Sequence, residues 1–135
     1  MQPLTKKDPK KIGGYTLIGR LGSGGMGVVY LASKGSDSVA LKVIRDAQLD
    51  DEAHLSRFKR EISTLETINH PNVARILGSG VDAEQAWFAV EFANGPDLAA
   101  RVKDKGALSE SEWWSLAEGL FSALEAVHAA GVIHR

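Results

Sequence analysis

Between Leu21 and Val28 the chain reads Leu-Gly-Ser-Gly-Gly-Met-Gly-Val, four glycines within six residues. Glycine at this density loses too much backbone entropy on ordering to sit inside a helix, but it permits a tight reversal whose bare backbone can be approached closely. Eight of the chain's 14 glycines fall between Gly13 and Gly35, so the fold must turn sharply there. The flanks decide what kind of turn it is. Residues 15–21 (YTLIGRL) and 28–32 (VVYLA) are apolar, β-branched and aromatic, the composition of strands. The glycines therefore join two strands.

The run Gly22-Ser23-Gly24-Gly25-Met26-Gly27 fits G-x-G-x-x-G, a weak signal without its context. A dinucleotide-binding turn needs its last glycine to open a helix, whereas Val28-Val29-Tyr30-Leu31 follows here, a poor helix start. A Walker-type loop needs Lys and Ser/Thr at the positions held by Val28 and Val29. Two readings remain open: a hairpin folded over a nucleotide, its amides near phosphate oxygens, and a plain flexible hairpin.

After the turn Lys34-Gly35-Ser36-Asp37, residues 38–44 (SVALKVI) form a third strand in an antiparallel meander. Lys42 is its one charge, and alternation places Ala40, Lys42 and Ile44 on one face. A buried ammonium needs a partner; the other option is an edge-strand lysine reaching water. Leu55, Phe58, Ile62, Leu65 and Ile68 then recur at three- and four-residue steps, an amphipathic helix. Glu61 lies at the rim of its apolar face, placed either to partner Lys42 or to pair with Arg57 at i−4. His70-Pro71-Asn72 stops the helix. Residues 73–80 and 86–93 read as two more strands, with Glu91 just before the break Asn94-Gly95-Pro96. Backbone groups at such a strand end can bond the edge of a flat heterocycle. Beyond the break the pattern is helical, first over 97–105 and then from Ser109, where Ser109 and Glu112 form a capping box. Trp113, Leu116, Leu120, Leu124 and Val127 keep one apolar face until Ala129-Ala130-Gly131.

Composition narrows the classes. Sixteen basic and 17 acidic residues give a net charge of −1, which argues against a polyanion-binding surface and so against a nucleic-acid partner. The absence of cysteine removes disulfides, thiolate zinc sites and cysteine nucleophiles. No stretch approaches the roughly 20 apolar residues of a membrane span, and the cytoplasm is the expected compartment. Residues 1–11 carry Lys6, Lys7, Lys10 and Lys11 with no apolar run after them, so they are expected to form a flexible, solvated basic leader.

Glycine hairpin, strand lysine, helix glutamate, hinge and the closing Gly131-Val132-Ile133-His134-Arg135 come in that order, and together the chain closely resembles the protein kinases. The narrower resemblance is to bacterial serine/threonine kinases of eukaryotic type. It rests on LGSGGMGVVYLA, VALK, RFKREISTLETINHPNV and GVIHR. It implies an α+β fold: an N-terminal lobe over 12–93, with a five-stranded antiparallel sheet plus one helix, a hinge at 94–96, and the first helices of an α-helical C-terminal lobe over 97–135. By resemblance, Gly22, Ser23, Gly24, Gly25, Met26 and Gly27 would cover the phosphates of ATP, and Leu21, Val29 and Ala40 would line the adenine pocket. Val90 would limit its depth, Glu91 and Ala93 would offer backbone groups to the adenine edge, and Asp97 would contact the ribose. Lys42 would hold the α- and β-phosphates and pair with Glu61. Leu65, Ile76 and His134 match members of the apolar stack that aligns the two lobes.

The family's loop runs His-Arg-Asp, and the residues given end at Arg135. Neither the aspartate nor the segments that bind Mg²⁺ are among them, so these residues alone are expected to be a truncated domain without turnover. In the intact protein the reaction would be Mg-dependent phosphoryl transfer from ATP to Ser or Thr of a protein substrate, in the cytoplasm or in the cytoplasmic part of a membrane-anchored kinase. The alternative is a non-catalytic nucleotide-binding or regulatory fragment. An exposed C-terminal helix or the N-terminal lobe is the expected surface for self-association.

Overall fold

Alternation of apolar and polar residues over 37–44 builds the centre of the molecule. The computed structural model describes residues 1–24, 27–44, 52–82 and 85–133, without the side chains of 52–54, 57 and 61. In chain order its elements are β1 (Lys11–Ile12), β2 (Tyr15–Gly24), β3 (Gly27–Lys34), β4 (Asp37–Ile44), α1 (Glu52–Glu66), β5 (Ile76–Asp82), β6 (Gln85–Glu91), α2 (Leu98–Lys105) and α3 (Glu110–Ala129). The strands form one antiparallel sheet in the order β1-β2-β3-β4-β6-β5. A β-rich half precedes an α-rich half, as the sequence predicts, but the sheet has six strands where five are expected, because β1 joins its edge beside β2. Several boundaries move: β2 runs on to Gly24, β3 to Lys34 and β5 to Asp82. The strand expected over 73–80 begins only at Ile76, and the one expected over 86–93 stops at Glu91, where the last pairing with β4, to Val39, occurs.

One face of the sheet is a closed core. Val39, Leu41 and Val43 of β4 pack there with Tyr30 and Ala32 of β3, Trp87 and Ala89 of β6, and Ile12, Tyr15 and Leu17. Register makes this possible: Tyr30, Leu41 and Ala89 are successive cross-strand partners, so their side chains share a face. Trp87 dominates the core's far end, its ring 5.6 Å from that of Tyr15 in an edge arrangement. Two glycines make room for its indole. A Cβ on Gly13, whose φ is +57°, would fall 2.0 Å from Trp87 Cζ2, and one on Gly80 would fall 2.9 Å from the same atom.

The opposite face receives α1. Ile62 is buried, and Phe58 brings its ring to 6.4 Å from that of Phe88. The His-Pro-Asn stop after α1 then docks on α3. The His70 ring bonds the Ser122 hydroxyl at 2.9 Å through Nε2 and accepts the Asn72 amide at 3.1 Å on Nδ1.

Helix α3 starts with the capping box expected at Ser109 and Glu112, both halves present. The Glu112 carboxylate accepts the Ser109 amide at 2.8 Å and an Arg101 guanidinium N–H at 2.7 Å. These bonds, the amide first, hold its pKa down to about 2. The buried residues of α3 are Ala117 and Ala123. Trp113, Trp114, Leu120 and Phe121 are all more than half exposed, whereas Leu124 is half-buried.

The expectation of a flexible basic leader is corrected. Gln2 and Arg20 exchange two backbone bonds of 2.9 and 2.8 Å, and β1 extends the sheet at the edge of β2. Asp8, the acid among the lysines, has a side chain only 2% exposed. It accepts from Arg20 Nη2 at 2.6 Å, from the Tyr30 hydroxyl at 2.7 Å, and from the amide and hydroxyl of Thr5 at 2.6 and 2.9 Å. The physical reason is saturation: a buried carboxylate surrounded by donors is stable where an unpaired one is not. The Arg20 bond, above all, holds Asp8 well below the usual carboxylate range.

Two outcomes follow from this packing. Gly13→Ala forces both a left-handed backbone and the Trp87 ring to give way, so it lowers stability by on the order of 1–3 kcal/mol in urea unfolding. Burial, and then its bond to Asp8, raises Tyr30 from 10.0 to about 12. A phenol that is harder to ionise folded than unfolded stabilises the native state below pH 10, and this contribution disappears as pH rises from 10 through about 12. Unfolding midpoints in that window fall for the native sequence, and the Tyr30→Phe chain lacks this component of the fall.

Candidate functional site

The side of the sheet opposite the core collects the residues singled out in the sequence. Val29 pairs with Lys42, and Lys42 with Phe88. Gly22 pairs with Val29 on the near side and Ser79 with Phe88 on the far side. One row thus crosses five strands: Gly22, Val29, Lys42, Phe88, Ser79. The next row is Leu31, Ala40, Val90 and Ile76. Pairs in one row share a face, so Val29, Ala40, Lys42 and Val90 lie together, next to the hairpin carrying Gly22, Ser23, Gly24 and Gly27.

Lys42 stands on β4, which is hydrogen-bonded on both sides by β3 and β6. It is therefore not an edge-strand lysine. Its side chain is half-buried, and its ammonium lies 5.8 Å from the centre of the Phe88 ring, close enough for attraction to the ring face. Glu61 belongs to α1 by its backbone; its side chain, and so its pairing with Lys42 or Arg57, lies outside the described residues. Gly25, Met26, His134 and Arg135 lie outside them as well.

The hairpin glycines separate into two kinds. Gly27, at φ +141°, brings its backbone so close to β4 that a Cβ would fall 1.9 Å from the Val43 carbonyl oxygen. Its glycine is a requirement of the sheet. Gly22 and Gly24 are different: a Cβ on either meets nothing within 4 Å among the described residues, and neither has a positive φ. No packing reason accounts for them, whereas close approach of an outside group would. Leu21 and Ser23 beside them are exposed.

At the far end of the strip, Glu91 is more committed than expected. Its amide donates to the Arg75 carbonyl at 3.0 Å, and its carboxylate takes the Arg75 amide at 3.0 Å and the Arg75 guanidinium at 3.2 Å. Of its backbone, the carbonyl is what remains to offer a ligand. Phe92 and Ala93 lie beyond β6 in the connection to α2. Asp97 is the N-cap of α2, its Oδ1 accepting the Ala100 amide at 2.7 Å, so one carboxylate oxygen is occupied and the other is left for a partner. Leu65 and Ile76 are both half-buried.

Sequence reasoning missed Phe88 beneath Lys42, Arg75 on Glu91, and Asp8 at the hairpin stem. Only the last left a local trace, in the spacing of Thr5 and Asp8. Together the site joins an apolar strip, a cation at its end and open glycine backbone beyond. Such a surface fits a molecule that is flat and apolar at one end and anionic at the other.

Comparison with known proteins agrees with this geometry. The family described as protein kinase domain matches residues 15–135. The probable serine/threonine-protein kinase PkwA of Thermomonospora curvata is 37% identical over all of this chain, which spans 18% of that protein. The serine/threonine-protein kinase AfsK of Streptomyces griseus is 34% identical over all of it, with 17% of that protein covered. The chain thus spans less than a fifth of the length of these relatives. Among solved structures, the PknI kinase domain of Mycobacterium tuberculosis superposes with a TM-score of 0.76 at 29% identity, over 93% of this chain and 53% of that one. The chain belongs to the protein kinase domain family, and these relatives are bacterial serine/threonine-protein kinases.

Proposed function

We propose that this chain carries the ATP-holding part of a cytoplasmic serine/threonine protein kinase, which in the intact protein transfers phosphate to Ser or Thr of a protein substrate. The observation that carries the reading is the cross-strand row Gly22–Val29–Lys42, which sets a half-buried cation between an apolar strip and glycines that packing does not explain.

The residues present fit ATP. Val29, Ala40 and Val90 would supply the apolar surface for adenine, with Leu21 at its rim, and the Glu91 carbonyl and the Ala93 backbone would bond its polar edge. Asp97 retains one oxygen for the ribose. Gly22, Ser23, Gly24 and Gly27, with Gly25 and Met26 between them, cover the phosphates. Lys42 would meet their charge, with Glu61 as its expected partner. When bound, ATP supplies the phosphoryl group to be transferred; the role of this chain is to bind, orient and neutralise it. Magnesium would be held elsewhere. No group of three or more His, Asp or Glu suited to a metal occurs among the described residues.

Binding and turnover give separate tests. Replacing the ammonium by a neutral side chain of similar length removes charge-assisted bonds worth about 1.5–3 kcal/mol, so Lys42→Met weakens ATP affinity about 10- to 100-fold with unchanged circular dichroism. Equal affinity in the variant would overturn the assignment of Lys42. The 135 residues alone do not phosphorylate a basic protein in Mg-ATP; activity that disappears in Lys42→Met would refute this. Binding without a catalytic role in the longer protein would favour the regulatory alternative.

Self-association is part of the same proposal. Trp113, Trp114, Leu120 and Phe121 offer α3 a wide apolar surface, and a second copy of the chain can cover it. Sedimentation at tens of micromolar shows species larger than a monomer, and Trp113→Glu with Phe121→Glu restores the monomer.

A further inference from the structure

The glycine hairpin is tied at its stem by a residue from outside it. Arg20 of β2 and Tyr30 of β3 face each other as cross-strand partners. Arg20 lies two residues before Gly22 and Tyr30 three residues after Gly27, so this pair is the last firm rung before the glycines. Immediately beyond it the register of the two strands shifts, between Arg20 and Gly22. Beyond that shift only three rungs join the strands, Gly22 to Val29, Ser23 to Val28 and Gly24 to Gly27, and a bulge between them and the stem loosens the angle of the hairpin to the sheet.

Asp8 joins the two sides of that rung. Its Oδ1 accepts from Arg20 Nη2 at 2.6 Å and from the Tyr30 hydroxyl at 2.7 Å, and its Oδ2 accepts from Arg20 Nε at 2.9 Å. Oδ2 also takes both donors of Thr5, which anchors the carboxylate to its own segment. The same segment holds Arg20 by its backbone, through the paired bonds to Gln2. The stem is therefore held by an element that is remote from it in sequence and comes before the hairpin.

We propose that Asp8 is a positioning residue for the glycine hairpin, clamping Arg20 to Tyr30 so that the backbone of Gly22, Ser23, Gly24 and Gly27 is held over the phosphates of a bound nucleotide. The nucleotide part rests on the function proposed above; the clamp does not. Phosphate affinity then depends on whether the first dozen residues are docked, although none of them reaches the strip that holds the base.

Two measurements on the 135-residue chain separate the clamp from general stability and from the nucleotide reading. The first is hydrogen exchange followed by mass spectrometry in Asp8→Ala and Asp8→Asn. Exchange from Leu21 to Val29 rises about tenfold, as expected for loss of a charge-assisted bond, while β4 and β6 keep their protection. The second compares ATP with adenosine. Asp8→Asn weakens ATP about five- to tenfold and leaves adenosine within twofold, because the hairpin meets phosphates and not the base. Tyr30→Phe, which removes a single hydrogen bond, shows the same pattern at smaller amplitude and serves if the Asp8 variants do not fold. Unchanged exchange in the hairpin, a uniform rise across the whole sheet, or equal losses for ATP and adenosine each overturn the proposal. If the native chain binds neither ligand, the nucleotide reading fails together with the phosphate part of this one, and exchange alone decides whether Asp8 holds the hairpin.

Discussion

Everything at this site depends on the register of β4. Val39 and Leu41 are fully buried on one face, while Ala40 and Lys42 stand on the other between Val29 and the residues of β6. A slip of one residue would exchange the two faces. It would carry Lys42 into a closed apolar core and bring Leu41 to the open side. Each large apolar side chain lost from the core costs about 1.5–3 kcal/mol, and an unpaired ammonium there costs several more. The same arithmetic that makes the core thus fixes where the cation stands, so the lysine needs no separate device to put it in line with Gly22.

The hairpin glycines show how packing and recognition can be told apart in one short segment. Gly27 is forced by the β4 backbone, since a Cβ would overlap the Val43 carbonyl. Gly22 and Gly24 are forced by nothing among the described residues, and each weakens the strand that carries it. A residue that costs stability without a structural return is where function is to be sought. Lys42 fits that pattern less sharply, because Phe88 gives its ammonium a favourable neighbour.

What could be read in the sequence is what local rules govern. The strands around the glycines, the break at Asn94-Gly95-Pro96 and the Ser109–Glu112 box all follow from neighbours a few residues apart, and so does the shared face of Ala40 and Lys42. The commitments of Glu91 to Arg75, and the seat of Phe88 beneath Lys42, depend on register between strands that periodicity alone does not give. In α3 the apolar pattern correctly marks one side of the helix, yet Ala117 and Ala123 are the buried residues while Leu120 is exposed. Amphipathicity says which side is apolar and not what covers it.

Residues 1–11 depart furthest from what their composition suggests, and the cause is electrostatic. Four lysines and one acid in eleven residues look like a solvated tail, because their average is polar and basic. The structure sorts these charges instead: Lys6, Lys7, Lys10 and Lys11 are exposed, and Asp8 is turned inward. Its partners Arg20 and Tyr30 lie 12 and 22 residues away, beyond any local pattern. The segment also occupies the edge of β2 through Gln2, Lys10 and β1, groups that would otherwise stand unpaired and invite strand addition. A single stretch of chain thus closes the sheet edge through its backbone and ties the stem of the hairpin through one buried carboxylate that average composition conceals.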